Sequence, residues 1–181
     1  MCHAIRRCGW SGFLLLALAV GCSSQSTGLP AADEEGAVRA QVAALQSAIK
    51  AGDVDKLWMM LVRHSIIEAE RAAMDIQNAY VKAGAAEKAK KEEELGLPGA
   101  ELAGLRGKGI FKTKGFQGKY HELPDSTIEQ VTVKGNDATV NYLEPNGHKE
   151  ELILFRQDGQ WKVWLEMPKV SPSLKVNVPL R

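Results

Sequence analysis

With 181 residues and 23 Lys and Arg against 22 Asp and Glu, the chain has no overall field with which to attract nucleic acid or to grip an anionic surface. Its length suits one domain of ordinary size that buries a core of its own. Three cysteines are too few for a disulfide framework.

The first element is apolar. Residues 12–20 (GFLLLALAV) follow Arg6 and Arg7 and precede small residues, the order of an export signal. A membrane-spanning helix needs about 20 apolar residues, so this shorter run is expected to be cut off. The residues flanking Arg6-Arg7 do not match the twin-arginine motif, and general secretion is the expected route. Ala19-Val20-Gly21-Cys22 resembles the lipobox of bacterial lipoproteins, although leucine is commoner where Ala19 stands. The resemblance implies cleavage between Gly21 and Cys22 and acylation of the Cys22 thiol, which then anchors the chain in a membrane. Ser23 resembles the residue that lets such proteins proceed to the outer membrane. The expected location is therefore the bacterial cell envelope, exported, lipid-anchored and facing the periplasm.

Removal of residues 1–21 takes away Cys2 and Cys8, leaving Cys22 alone, and leaves 21 of the 23 Lys and Arg against 22 acids. Stability must then come from packing. Residues 22–36 read as the lipidated cysteine and a polar, flexible tether, residues 37–167 as the domain, and residues 168–181 as a proline-containing tail in which LKVNV is a candidate edge strand.

Within the domain, Val38, Val42, Leu45 and Ile49 mark one face of a helix ending at Gly52. Asp53 is placed to cap a second helix through Leu57, Trp58 and Leu61. Ile66, Ala69, Ala73, Ile76 and Tyr80 continue the helical period, either as one long helix or as two with a kink near Arg63-His64. EKAKKEEEL, from Glu87, has almost no apolar face and reads as a solvated helix end or a loop. Residues 96–118 hold seven of the seventeen glycines and read as a loop region, with room for a short helix over 100–105. From Ser126 four strand-like runs are separated by Gly135-Asn136, Pro145-Asn146-Gly147 and Asp158-Gly159, which predicts an antiparallel meander. Trp161, Val163 and Leu165 point to one face and Lys162, Trp164 and Glu166 to the other. Ala138, Val140 and Tyr142 likewise alternate with Thr139, Asn141 and Leu143.

AIKAGDVDKLW, VKGNDATVNY and LFRQDGQWKVWLE, set in an order of helices first and meander second, resemble the nuclear transport factor two-like superfamily, especially its small bacterial lipoproteins. The resemblance implies an α+β fold in which N-terminal helices pack on a curved antiparallel meander, a cone or cystatin-like roll. This superfamily includes enzymes, ligand binders and interaction modules, so the fold alone does not choose a function.

Enzymes of this superfamily move protons with an Asp or a His-Asp pair inside the cone. Here Asp53 is explained by its capping position. His64 and Glu68, four apart on one helix face, are the alternative acid-base pair for a hydrophobic metabolite, and a surface ion pair is the simpler reading. His121 and His148 fall beside strands, no His-x-x-x-His spacing occurs, and Cys22 is assigned to lipid, so neither a metal nor a cofactor is expected. GLRGKGIFKTKGFQGKYH lacks the phosphate-loop spacing. Its Lys108, Lys112, Lys114 and Lys119 alternate with Phe111, Phe116 and Tyr120, a pattern that suits an acidic glycan or lipid headgroup or, more simply, aromatics packed under the sheet. Trp58, Tyr80, Tyr142 and Trp164 are candidate cavity-lining residues, and Trp161 is expected in the core. These observations lead to an exported binding or interaction module. Its expected partners are a membrane, through Cys22, and a hydrophobic small molecule or envelope protein; nucleic acid is not among them. A homodimer through the sheet face is a further candidate.

Overall fold

The computed structural model describes residues 31–168. The expectations for Gly21, Cys22 and the rest of 1–30, and for the tail after 168, lie outside the described residues.

Helix α1 spans Ala31–Ala51. Asp33 and Glu34 occupy its first turn, where the helix dipole favours carboxylates. Glu34 is 8% exposed and ion-paired with Arg156 of the sheet, an attachment that the local sequence does not announce. Val38, Val42, Leu45 and Ala48 form its buried stripe.

Asp53 caps α2 (Val54–Met60), its Oδ1 accepting from the Lys56 backbone N–H at 2.9 Å. The break before the next helix falls at Leu61-Val62 rather than at Arg63-His64, because these two residues are extended and engaged by the sheet. The Val62 N–H donates to the Val163 carbonyl at 3.0 Å, and Leu61 bridges Val163 in parallel. Helix α3 (Arg63–Lys82) then buries Ala69, Ala73, Ile76 and Tyr80, while Ile67, Met74 and Val81 face solvent.

The charged segment is helical, as α4 (Ala85–Leu95). The glycine-rich stretch corrects the loop reading: it folds into α5 (Gly99–Ala103), a 3₁₀ turn (Gly107–Lys112) and α6 (Lys114–Tyr120). Aromatic packing supplies the order that propensity withholds. Phe111, Phe116 and Tyr120 contact one another in sequence with ring centroids 4.9 Å apart at each step, and Thr113 caps α6 through the Phe116 N–H. Gly107 is required by close approach: a Cβ there would lie 2.6 Å from Trp58 and 2.8 Å from the Glu70 carboxyl carbon.

Strands β1 (Thr127–Lys134), β2 (Asp137–Leu143), β3 (Lys149–Gln157) and β4 (Gln160–Trp164) form one antiparallel sheet in sequence order, giving the α+β class expected. Asp158 and Gly159 both take left-handed backbone, φ 51° and 75°, as a two-residue hairpin between β3 and β4 demands. One sheet face, with Val140, Tyr142, Leu154, Trp161 and Val163, is buried in the core with α1 and α2. The other carries Thr139, Asn141, Ile153, Phe155, Lys162 and Trp164, all half-buried.

Candidate functional site

The four aromatic candidates do not converge on one cavity. Trp58 lies against Phe111, with centroids 6.1 Å apart, and walls the turn at Gly107. Tyr80 donates to Glu92 Oε1 at 2.5 Å; this bond is the first cause that raises its hydroxyl pKa above the ordinary value. Tyr142 and Trp164 do share a site. They line an open groove of about 410 Å³ at the end of the sheet where the chain leaves β4. Tyr142 points to the core face and Trp164 to the outer face, so the groove wraps the sheet end rather than entering a cone.

That groove is acidic, with Glu144, Glu150, Glu151 and Glu166 against Lys119, and Lys119 is paired to Glu166. Burial pushes the Tyr142 phenol up to about 12, with the charges of Glu144 and Glu150 adding to the shift. Burial also raises Tyr120, whose hydroxyl donates to the Glu166 carbonyl at 2.9 Å. Both phenols are therefore neutral at physiological pH. The arrangement offers carboxylates and aromatic surface, which suits a ligand with cationic or donor groups.

A second groove, of about 480 Å³, runs between α1, α2 and the β3–β4 hairpin. Its polar lining is Gln41, Lys56, Gln160 and Lys162, and its apolar lining includes Met59 and Trp161. Trp161 is 6% exposed, as expected of a core residue. It lies beneath the Arg156 guanidinium at 4.7 Å from the ring centroid, yet its Nε1 has no hydrogen-bond partner among the described residues. Sequence reasoning missed this groove because its residues come from three elements and share no period. The available signal was a tryptophan two residues after an Asp-Gly turn with lysine beside it.

A small pocket between α2 and α6, lined by Leu57, Phe111 and Phe116 among others, holds about 90 Å³, far less than the roughly 300 Å³ at which ligand pockets begin.

The titratable candidates lie apart. His64 Nε2 stands 3.1 Å from Glu68 Oε1 on the solvent side of α3, with the His64 side chain 67% exposed. Asp53 is a helix cap. His121 Nδ1 lies 2.8 Å from the Gly118 carbonyl, and His148 sits in the β2–β3 turn. Among the described residues no group of three or more His, Cys, Asp or Glu side chains is arranged to hold a metal ion. The four lysines of the basic segment are all engaged: Lys108 with Asp55, Lys112 with Glu101, Lys119 with Glu166, and Lys114 with the Glu93 carbonyl. Phe111, Phe116 and Tyr120 are buried, so this segment does not lay out aromatics for an anionic polymer to stack on.

Among the described residues no helix is long and apolar enough to cross a membrane. In comparisons with protein-family models, curated proteins and solved structures, nothing matches the chain.

Proposed function

We propose that the chain is an exported bacterial lipoprotein, held at the outer membrane by acyl groups on Cys22, whose domain serves as a ligand-binding or protein-interaction module of nuclear transport factor two-like type. The observation that carries the binding reading is where space lies in the domain. The pocket between α2 and α6, at about 90 Å³, is too small for a metabolite, whereas the grooves beside Trp164 and Trp161, at about 410 and 480 Å³, are of ligand size and combine aromatic or thioether surface with polar groups. The helices-then-meander order, together with the capped corner at Asp53 and the Asp158-Gly159 hairpin, supports the superfamily assignment. The acid-base alternative draws less support, because the His64 side chain stands in solvent beside a half-buried Glu68.

Two measurements test the reading. Cys22→Ser should lower the mass of the exported chain by the acyl groups and release it from the membrane fraction; unchanged mass and membrane share would refute lipidation. Native mass spectrometry of the gently purified protein should retain a non-covalent ligand or a second protein chain. A stripped monomer that takes up nothing from an envelope extract would refute the binding role. A homodimer would direct attention to the outer sheet face around Ile153, Phe155 and Trp164.

A further inference from the structure

The groove beside Trp161 is lined by two lysines and by no carboxylate. Lys56 and Lys162 line it with the amides of Gln41 and Gln160, and no aspartate or glutamate does. Neither lysine has a carboxylate within ion-pairing distance among the described residues; Lys162 donates instead to the Met59 carbonyl at 2.7 Å. The nearby glutamate of α1, Glu34, is already taken by Arg156. In the groove wall the Trp161 indole N–H is sealed from solvent without a partner, and so is Nε of the Arg156 stacked on it. Beside these donors lies apolar surface: Met59 is 64% exposed although it borders the groove.

We propose that this groove seats the phosphate-bearing headgroup of an anionic membrane lipid, with Lys56 and Lys162 directed at phosphate oxygens and Met59 against the start of the acyl chains. Position argues for a lipid over a soluble phosphate ester. The groove is lined by Ala37 near the start of α1, and Cys22 lies nine residues before Ala31, at most about 32 Å of extended chain. The proposal rests on the anchored binding module described above, and one experiment separates failure of the two.

The full chain, expressed with its own export segment, is reconstituted into nanodiscs of equimolar phosphatidylglycerol and phosphatidylcholine and released for native mass spectrometry. The covalent mass reports acylation of Cys22; non-covalent adducts report the groove. The expected result is one phosphatidylglycerol retained in preference to phosphatidylcholine. Neutralising both lysines (Lys56→Gln with Lys162→Gln) should reduce that retention about tenfold. Trp164→Phe, at a residue outside the groove lining, should not change it. Equal retention of the two lipids, or retention unchanged by the double lysine substitution, would overturn the proposal even with Cys22 acylated. Displacement of the lipid by an equal concentration of glycerol phosphate would assign the site to soluble phosphate esters and overturn the lipid assignment; resistance to it supports the apolar contribution. The two lysines lie at the surface, so their variant should fold and report on the groove alone.

Discussion

Ser65 Oγ accepts a hydrogen bond from the Leu165 backbone N–H at 3.1 Å, joining the first turn of α3 to the residue that follows β4 across a sequence separation of 100. Ser65 is fully buried, so its hydroxyl is a tertiary fastener rather than a local cap. Ser65→Ala leaves the Leu165 N–H unsatisfied and should cost about 1–3 kcal/mol. Urea unfolding should show a lower midpoint with an unchanged slope; an unshifted midpoint would mean that the bond contributes nothing.

Gly107→Ala should destabilise by about 1–3 kcal/mol through overpacking, because the added methyl would meet the Trp58 ring and the Glu70 carboxyl group. The loss should appear in thermal unfolding. Trp58→Ala in the same chain makes room for the methyl, so the two substitutions should be less than additive in a double-mutant cycle.

Asp53→Ala removes the acceptor for the Lys56 N–H and should cost about 1 kcal/mol, whereas Asp53→Asn retains a capping oxygen and should be nearly neutral. A large functional loss in a folded Asp53→Asn protein would reassign this residue from cap to catalyst.

Alkaline pH should unfold the domain. Burial raises the pKa of Tyr142 from 10.0 to about 12, and that of Tyr120 is raised for the same reason. A group whose pKa is higher in the folded state than in the unfolded one contributes stability that is complete below the unfolded value and is lost as pH rises through the folded one. The loss contributed by Tyr142 therefore falls between pH 10 and about 12. Tyrosinate absorbance from these two residues should rise together with the loss of circular dichroism, and Tyr142→Phe should move the midpoint upward. A titration of both phenols at pH 10 with the fold intact would contradict the burial argument.

Phe116→Ala should cost about 3–5 kcal/mol, since Phe116 is 2% exposed and contacts both Phe111 and Tyr120. A strong effect there is also the test of whether the glycine-rich stretch is held by its aromatics.

Elements governed by local periodicity were legible in the sequence: the buried stripe of α1, the Asp53 cap and the alternation along β2 and β4 follow from residue spacing and turn chemistry. Features set by distant partners were not. Glu34 of α1 is received by Arg156, 122 residues away, and the break at Leu61-Val62 is engaged by Val163. Residues 96–118 read as a loop because glycine and proline weigh against helix locally, while the aromatic contacts that order them are tertiary. Among the candidate site residues, Tyr142 and Trp164 do share a groove, but the placement of Lys56 of α2 and Lys162 of β4 along one groove has no signature in one dimension.

The pairing of Leu61 and Val62 with Val163 has a further consequence, for how copies of this protein meet. A terminal strand with a bare edge invites a neighbour to extend the sheet, the first step of swapping and fibre growth. Midway along β4 that invitation is withdrawn, because the Val163 carbonyl already holds the Val62 N–H at 3.0 Å and any incoming strand would have to break this bond first. The break between two helices thus also serves as a stopper midway along the edge of the sheet.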